Sequence, residues 1–412
     1  MDVKFPYRDQ DISFSIPEDV QVFQPTVHPA ITETYTAIIK NLLRPLGYKK
    51  TLFDMAKKCA SACVVVDAYC PPHVNRQILD PIIKTLHAAG MAHNDIMILL
   101  TAEYPSEFLD EQVPSLFPQE FLAEYDVQVH DTYSNTKHEL IGFTTRGTPI
   151  YLDRRLKEAD IKIVTGSVYP HYLFGYAGAP ALLTLGLSGP ETIQAIYNLG
   201  DVWLLNKKSE FYLELIEILD LAKIDFFINI LIDSSARFLD IFSGKPERVV
   251  KEIGHKFTSG EFGAAPEKAD IVITSTGQAL WESSWYHNFV SLCLSRSFCN
   301  VHGTIIFVTS LFEGVAAGRV DKIRHKSDLI DLFSFNKMIG GTRDKIFSCL
   351  NDCNIIFVSP QFNDKSLKAK DREIFFCSSI DAALNFVAQR AKTKPRALLL
   401  PNGLLTFVNQ PS

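Results

Sequence analysis

Residues 166–193 read GSVYPHYLFGYAGAPALLTLGLSGPETI. The apolar run 161–164 leads straight into this stretch, glycine stands at 166, 175, 178, 186 and 189, and no charge appears before Glu191. A strand ending in such a loop brings main chain close to a ligand at the carboxyl end of a parallel sheet. Further short apolar runs flank it at 63–66, Ile96–Leu100, 271–273, 305–308, 355–358 and Ala397–Leu400. Helical periodicity lies between them, at 74–89, 209–221, 327–333 and 380–391. Helix following strand predicts an α/β protein with right-handed crossovers and mostly parallel, doubly wound sheets. Residues 148–152, after the Arg146-Gly147 turn, read as a hairpin or edge strand.

The chain has 412 residues, more than one ordinary core accommodates, so two domains are expected. The small-residue and proline breaks of 259–269 (SGEFGAAPEKA) mark the linker. Residues 1–264 would form a domain carrying the glycine-rich loop. Residues 265–412 would form a Rossmann-like α/β domain of four strands, with the last residues packing back on the first domain. Each domain is expected to hold a mostly parallel sheet flanked by helices, with a cleft between the two.

The composition, 47% hydrophobic and 21% charged with net charge −6, is that of an ordinary globular protein. It supplies no basic stripe for phosphate contacts, which excludes nucleic acid as the main partner. The 29 phenylalanines sit mostly in apolar runs and read as core. No apolar run approaches a bilayer's thickness, and the first residues lack the apolar centre of a signal peptide, so a cytoplasmic location is expected. Eight scattered cysteines make no disulfide framework and no CxxC pair.

Several motifs, in order along most of the chain, resemble those of the nickel-pincer lactate racemase family. The family's Asp-x-Thr-Arg-Pro appears here as Asp67-Ala68-Tyr69-Cys70-Pro71, and its Ala-Thr-Gly-x-His-Arg as Leu100-Thr101-Ala102-Glu103-Tyr104-Pro105. His130-Asp131, Gly147-Thr148-Pro149 and Glu191-Thr192-Ile193 match family positions. In the signature Pro-His-x-x-Ala-Gly-Phe-Ser-Gly-Gly-x-Lys, His171 takes the place of the His, Gly175 and Gly178 fall on glycines, and Ala181 replaces the Lys. Farther on, Ser275-Thr276-Gly277, Tyr286-His287-Asn288-Phe289-Val290, Glu313-Gly314 and Pro401-Asn402-Gly403 correspond to family loops.

The resemblance implies hydride transfer between the hydroxyl-bearing carbon of a 2-hydroxy acid and a nickel-pincer nucleotide. It implies nickel ligation by His171, with Gly175, Gly178 and Asp67 around the cofactor. The substrate would meet Cys70, Tyr286 and His287 in the interdomain cleft. Three family groups are changed: the carboxylate-clamping Arg is Cys70, the tethering Lys is Ala181, and the two histidine bases fall at Tyr104 and near Tyr197. A phenol of pKa about 10 is a poor base at neutral pH. Any cofactor would therefore be held without a covalent tether, and lactate racemisation is not expected. Candidate catalytic groups are Tyr104, Tyr197, His287 and Glu103. His171 reads either as a ligand or as a hydrogen-bond partner of its own loop, and His287 and Glu103 either as site or as surface groups. Three functions remain open: a diverged 2-hydroxy acid racemase or epimerase, a non-catalytic member that binds a small molecule or nucleotide derivative, and an unrelated enzymatic activity using Cys70, Tyr104, Glu103 or His287 in the same cleft.

Overall fold

The computed structural model describes residues 2–7, 10–18, 20–23, 28–101, 113–134, 136–172, 174–199, 210–259, 261–277, 279–282, 284–311, 322–325, 328–329, 350, 352–368 and 373–406. The chain opens with an antiparallel hairpin, β1 (Asp2–Tyr7) and β2 (Gln10–Ser15), followed by the short strand β3 (Gln21–Val22). Three strands of the first large sheet come next: β4 (Ala62–Val66), β5 (Ile96–Leu100) and β6 (Asp126–Val129). A separate antiparallel ribbon, β7 (His138–Phe143) with β8 (Pro149–Asp153), is the hairpin expected after the Arg146-Gly147 turn. Then come β9 (Ile161–Val168), the small pair β10 (Pro170–His171) and β11 (Gly175–Tyr176), and β12 (Phe226–Ile232) with β13 (Phe238–Gly244). The second large sheet takes β14 (Ala269–Thr274), β15 (Cys299–Val308), β16 (Asn354–Val358), β17 (Ile374–Cys377) and β18 (Ala397–Leu400).

The first sheet has the order β13-β12-β9-β4-β5-β6, parallel except for β13 at its edge. The second has the order β17-β16-β15-β14-β18-β3 and is parallel throughout. Such strands are covered on both faces, which is why they read as unbroken apolar runs and not as alternating ones. All of Ala62–Val66 and Phe226–Ile232 is buried. The chain passes from one sheet to the other between Thr258 and Ala269.

Two expectations change. The second sheet has six strands instead of four, because Ile374–Cys377 and the amino-terminal Gln21–Val22 join it. Gln21–Val22 is too short to register as an apolar run, and Ile374–Cys377, though apolar, is not among the runs read as strands from the sequence. Phe5, Ile16 and Val20 fill the same core as Ile271, Ile306 and Val358, and Tyr7 Oη bonds Ser359 Oγ at 2.6 Å. The amino terminus thus packs on the second sheet, although about 240 residues of the first part intervene. Helix 72–88 is Pro-started, and a further helix, Trp285–Arg296, is buried along its whole length. No helix among the described residues is long and apolar enough to cross a membrane.

Candidate functional site

The site expected from the sequence lies where the carboxyl ends of β4 and β9 meet the first turn of helix Trp285–Arg296. After β4 the chain turns through Asp67-Ala68-Tyr69-Cys70, closed by the Tyr69 N–H donating to Asp67 Oδ1 at 2.9 Å and Asn75 Nδ2 donating to the Asp67 carbonyl at 2.8 Å. After β9 the chain reverses through β10 and β11, which set His171 directly opposite Gly175. Gly175 has φ +76° and Gly178 φ +131°, so the loop uses backbone that only glycine adopts without strain.

Gly178 then opens helix Ala179–Thr184, whose first turn lies on β9 and β12. A Cβ on Gly166 would stand 2.8 Å from the Ala179 nitrogen, so the glycine lets the helix approach. Asn229, the register partner of Gly166, accepts the Ala179 N–H at 2.7 Å. Asn229 was missed in the sequence. Its signal is a lone amide inside the otherwise apolar FFINILI strand.

His171 is fully buried. Its Nδ1 accepts the Phe174 N–H at 3.3 Å, so the ring proton is on Nε2, which stands 2.6 Å from the Tyr286 hydroxyl. Tyr172 stacks on the ring at 5.0 Å. Burial, with some contribution from the nearby His287, drops the His171 pKa to about 3. His287 is also buried, with its pKa dropped to about 3 by burial. Its Nδ1 meets the helix-capping Ser284 Oγ at 2.9 Å, and its Nε2 lies 3.4 Å from the Tyr169 hydroxyl. Trp281 stacks on it, planes 5° apart, and Tyr69 covers it at 4.8 Å. Of the two readings of His287, site group or helix-surface group, the surface one is excluded: the imidazole is walled in by Trp281, Tyr69 and Tyr169.

Tyr69 joins this aromatic cluster to the Asp67 turn. Burial raises the Asp67 pKa to about 6 against three backbone N–H groups, of Tyr69, Ser167 and Cys70, that favour the carboxylate. The Cys70 thiol is pushed well above its ordinary pKa by burial and by the charge of Asp67. A neutral, buried thiol cannot do the work of a guanidinium on a substrate carboxylate.

The fold therefore brings together Asp67, Cys70, His171, Gly175, Gly178, Tyr286 and His287. Tyr197 lies in helix Pro190–Asn198, buried with Ile193 and Ile196. Tyr104, Glu103 and Glu313-Gly314 lie outside the described residues. Side chains not foreseen are Tyr169, Trp281, Ser167, Asn229 and Glu282; the last accepts from the Ser310 amide and hydroxyl. Asn229 Nδ2 and Trp281 Nε1 are buried with no hydrogen-bond partner among the described residues, and the Ser167 side chain meets the Cys70 thiol. Two concave spaces lie elsewhere: about 410 Å³ beside Asp270, His302 and Arg390, and about 260 Å³ beside Lys157, Lys162 and Lys223.

The residues present do not fit a tethered nickel-pincer nucleotide. Both ring nitrogens of His171 are engaged within the protein, and Ala181 is buried and has no amine. Among the described residues no group of three or more His, Cys, Asp or Glu side chains converges as a metal site.

Residues 7–203 match the model of the lactate racemase N-terminal domain. The lactate racemase of Thermoanaerobacterium thermosaccharolyticum is 22% identical over 324 residues, covering 76% of this chain and 75% of that protein. The lactate racemase of Lactiplantibacillus plantarum is 21% identical over 298 residues, covering 70% of this chain and 69% of its own. In fold, the apoprotein structure of the Thermoanaerobacterium thermosaccharolyticum lactate racemase superposes over the whole of both chains with a TM-score of 0.76 at 19% identity. A Thermotoga maritima protein of known crystal structure aligns with a TM-score of 0.57 at 11% identity, over 92% of this chain and 99% of its own. The shared amino-terminal domain, together with these relatives, means that residues 7–203 of this chain belong to the lactate racemase family, which uses a nickel-pincer nucleotide, and the whole chain shares the two-sheet fold.

Proposed function

We propose that this chain is a lactate racemase-family protein that does not racemise lactate through a tethered nickel cofactor, and that it keeps the inter-sheet site for binding a small polar molecule. The observation that carries this reading is His171: a buried neutral imidazole whose two nitrogens are taken up by Tyr286 and Phe174. Nickel ligation would first have to break the short bond between His171 and Tyr286, a loss of about 0.5–1.5 kcal/mol. Binding of a small molecule is supported by Asn229 Nδ2 and Trp281 Nε1, both buried and without a hydrogen-bond partner among the described residues. Ser167 lies at the carboxyl end of β9, where parallel sheets bind ligands.

A second reading, a diverged 2-hydroxy acid racemase or epimerase, is favoured by Asp67. With a pKa of about 6 the carboxyl is balanced between proton donor and acceptor near neutral pH, as a general base must be. It would take the proton from a substrate hydroxyl that the two missing histidines no longer serve.

One preparation tests both readings: protein made in cells that also make the nickel-pincer nucleotide, assayed by intact mass, nickel content and chiral analysis of D- and L-lactate. The expected result is the unmodified mass and lactate of unchanged configuration. A covalent adduct, or lactate racemisation at rates of an intact family member, overturns the proposal. Inversion of another 2-hydroxy acid, lost in Asp67→Asn, decides for the second reading.

A further inference from the structure

A second cluster of histidines stands at the end of β6 and the start of β7. His130 is fully buried, and its Nδ1 lies 2.8 Å from Asp153 Oδ2. Arg155 holds that carboxylate from two sides, through Nε at 2.9 Å to one oxygen and a terminal nitrogen at 2.6 Å to the other. With Nδ1–H donating to Asp153, the neutral ring presents a lone pair at Nε2. That lone pair faces the Ser188 carbonyl oxygen at 3.3 Å and His138 Nε2 at 3.5 Å. His130 Nε2 thus has two further electron-pair donors within 3.5 Å, an arrangement that calls for a proton or a cation between them.

We propose that His130 and His138 form a binding site for a divalent transition metal of the zinc class, with Glu191 as third ligand after a side-chain rotation and water in the fourth position. Two Zn–N bonds of about 2.1 Å at the tetrahedral angle place their nitrogens about 3.4 Å apart, which the two Nε2 atoms already match. A carboxylate on the far nitrogen of a ligating histidine fixes its tautomer and orientation, and Asp153 supplies it for His130. Glu191 packs over the same glycine as His138: its Oε2 and the His138 Cγ each stand 3.4 Å from where a Cβ of Gly189 would be. His138 is half-buried, which leaves an ion a way in. The site as built has two arms and closes when Glu191 turns in. It uses none of the residues of the inter-sheet site.

The probe is Co²⁺, titrated into chelator-treated protein and followed by its visible absorption, with Zn²⁺ then added in competition. The expected result is one equivalent of four-coordinate Co²⁺ displaced by Zn²⁺, with an unfolding temperature raised by the metal. His138→Ala should abolish the cobalt band and the thermal shift, and Glu191→Gln should weaken binding by about tenfold or more. Circular dichroism of His138→Gln, which keeps a polar side chain of similar reach, checks that the fold is intact. No stoichiometric uptake by the unaltered protein overturns the proposal, as does uptake undiminished in His138→Ala. Uptake lost in His171→Ala and kept in His138→Ala would overturn it too, by moving the metal to the inter-sheet site.

Discussion

At the scale of single residues, the site is governed by burial acting on charge. His171 and His287 both titrate near pH 3 in the folded protein, against about 6.5 when unfolded. Above pH 6.5 neither state binds these protons, and the full stability is present. Below it the unfolded chain takes up two protons that the native protein refuses, so stability falls with pH by about 1.4 kcal/mol per unit for each histidine. Asp67 works in the opposite sense. Its pKa of about 6 lies above the unfolded value, so the native protein holds an extra proton between about pH 4 and 6 and there offsets one histidine. The expected profile is a steep loss just below pH 6.5 and a shallower one below pH 6. Urea midpoints from pH 7.5 to 4.5 read it directly, and Asp67→Asn should restore the steeper slope below pH 6. A midpoint that stays level over this range would mean that the imidazoles reach water in the folded state.

At the scale of elements, the signature loop depends on Gly178, which both turns the chain at φ +131° and gives room to Asn229. Alanine there would press its Cβ onto Asn229 Oδ1 and displace it from the Ala179 N–H. Backbone strain of about 1–3 kcal/mol and a lost buried hydrogen bond of similar size act together. Gly178→Ala should therefore cost about 2–5 kcal/mol. Gly90 provides the comparison, with φ +108° and nothing within 4 Å of the added Cβ. Gly90→Ala pays the strain alone, about 1–2 kcal/mol. Chemical denaturation of the two variants side by side measures the difference. Equal losses would show that β12 and the loop relax around the methyl group.

At the scale of the whole molecule, the amino-terminal segment belongs with the second sheet. Phe5, Ile16 and Val20 are buried against strands more than 240 residues away, and β3 pairs with β18. Burying each such side chain contributes about 1.5–3 kcal/mol before the entropy of ordering the segment is subtracted. Removal of residues 1–23 should lower the urea midpoint and raise binding of a hydrophobic dye, because the face of the second sheet is uncovered. An unchanged midpoint with no added dye binding would show that the segment adds nothing net. The larger core contains Val66 and Ile163 of the first sheet as well as Phe307 and Phe357 of the second. Unfolding of the full chain is accordingly expected as one transition.

The strands of both sheets were legible because parallel strands covered on both faces must be apolar throughout, and runs such as 161–164 and Ile96–Leu100 announce this locally. The glycines of 166–193 were legible for a related reason: they mark backbone conformations and close approaches that other residues cannot take. The changes at Cys70 and Ala181 were equally plain, since a missing amine or guanidinium is a matter of residue identity. Tertiary packing alone decided the rest. Whether His171 presents a lone pair depends on Tyr286, 115 residues away, and the pKa of Asp67 depends on how deeply the turn is buried. Likewise Gln21–Val22 became a strand only because β18 offered it an edge. Local sequence sets which conformations and chemical groups exist, whereas hydrogen-bond partners and burial arise from residues far apart in the chain and take effect only once the two sheets have closed on each other.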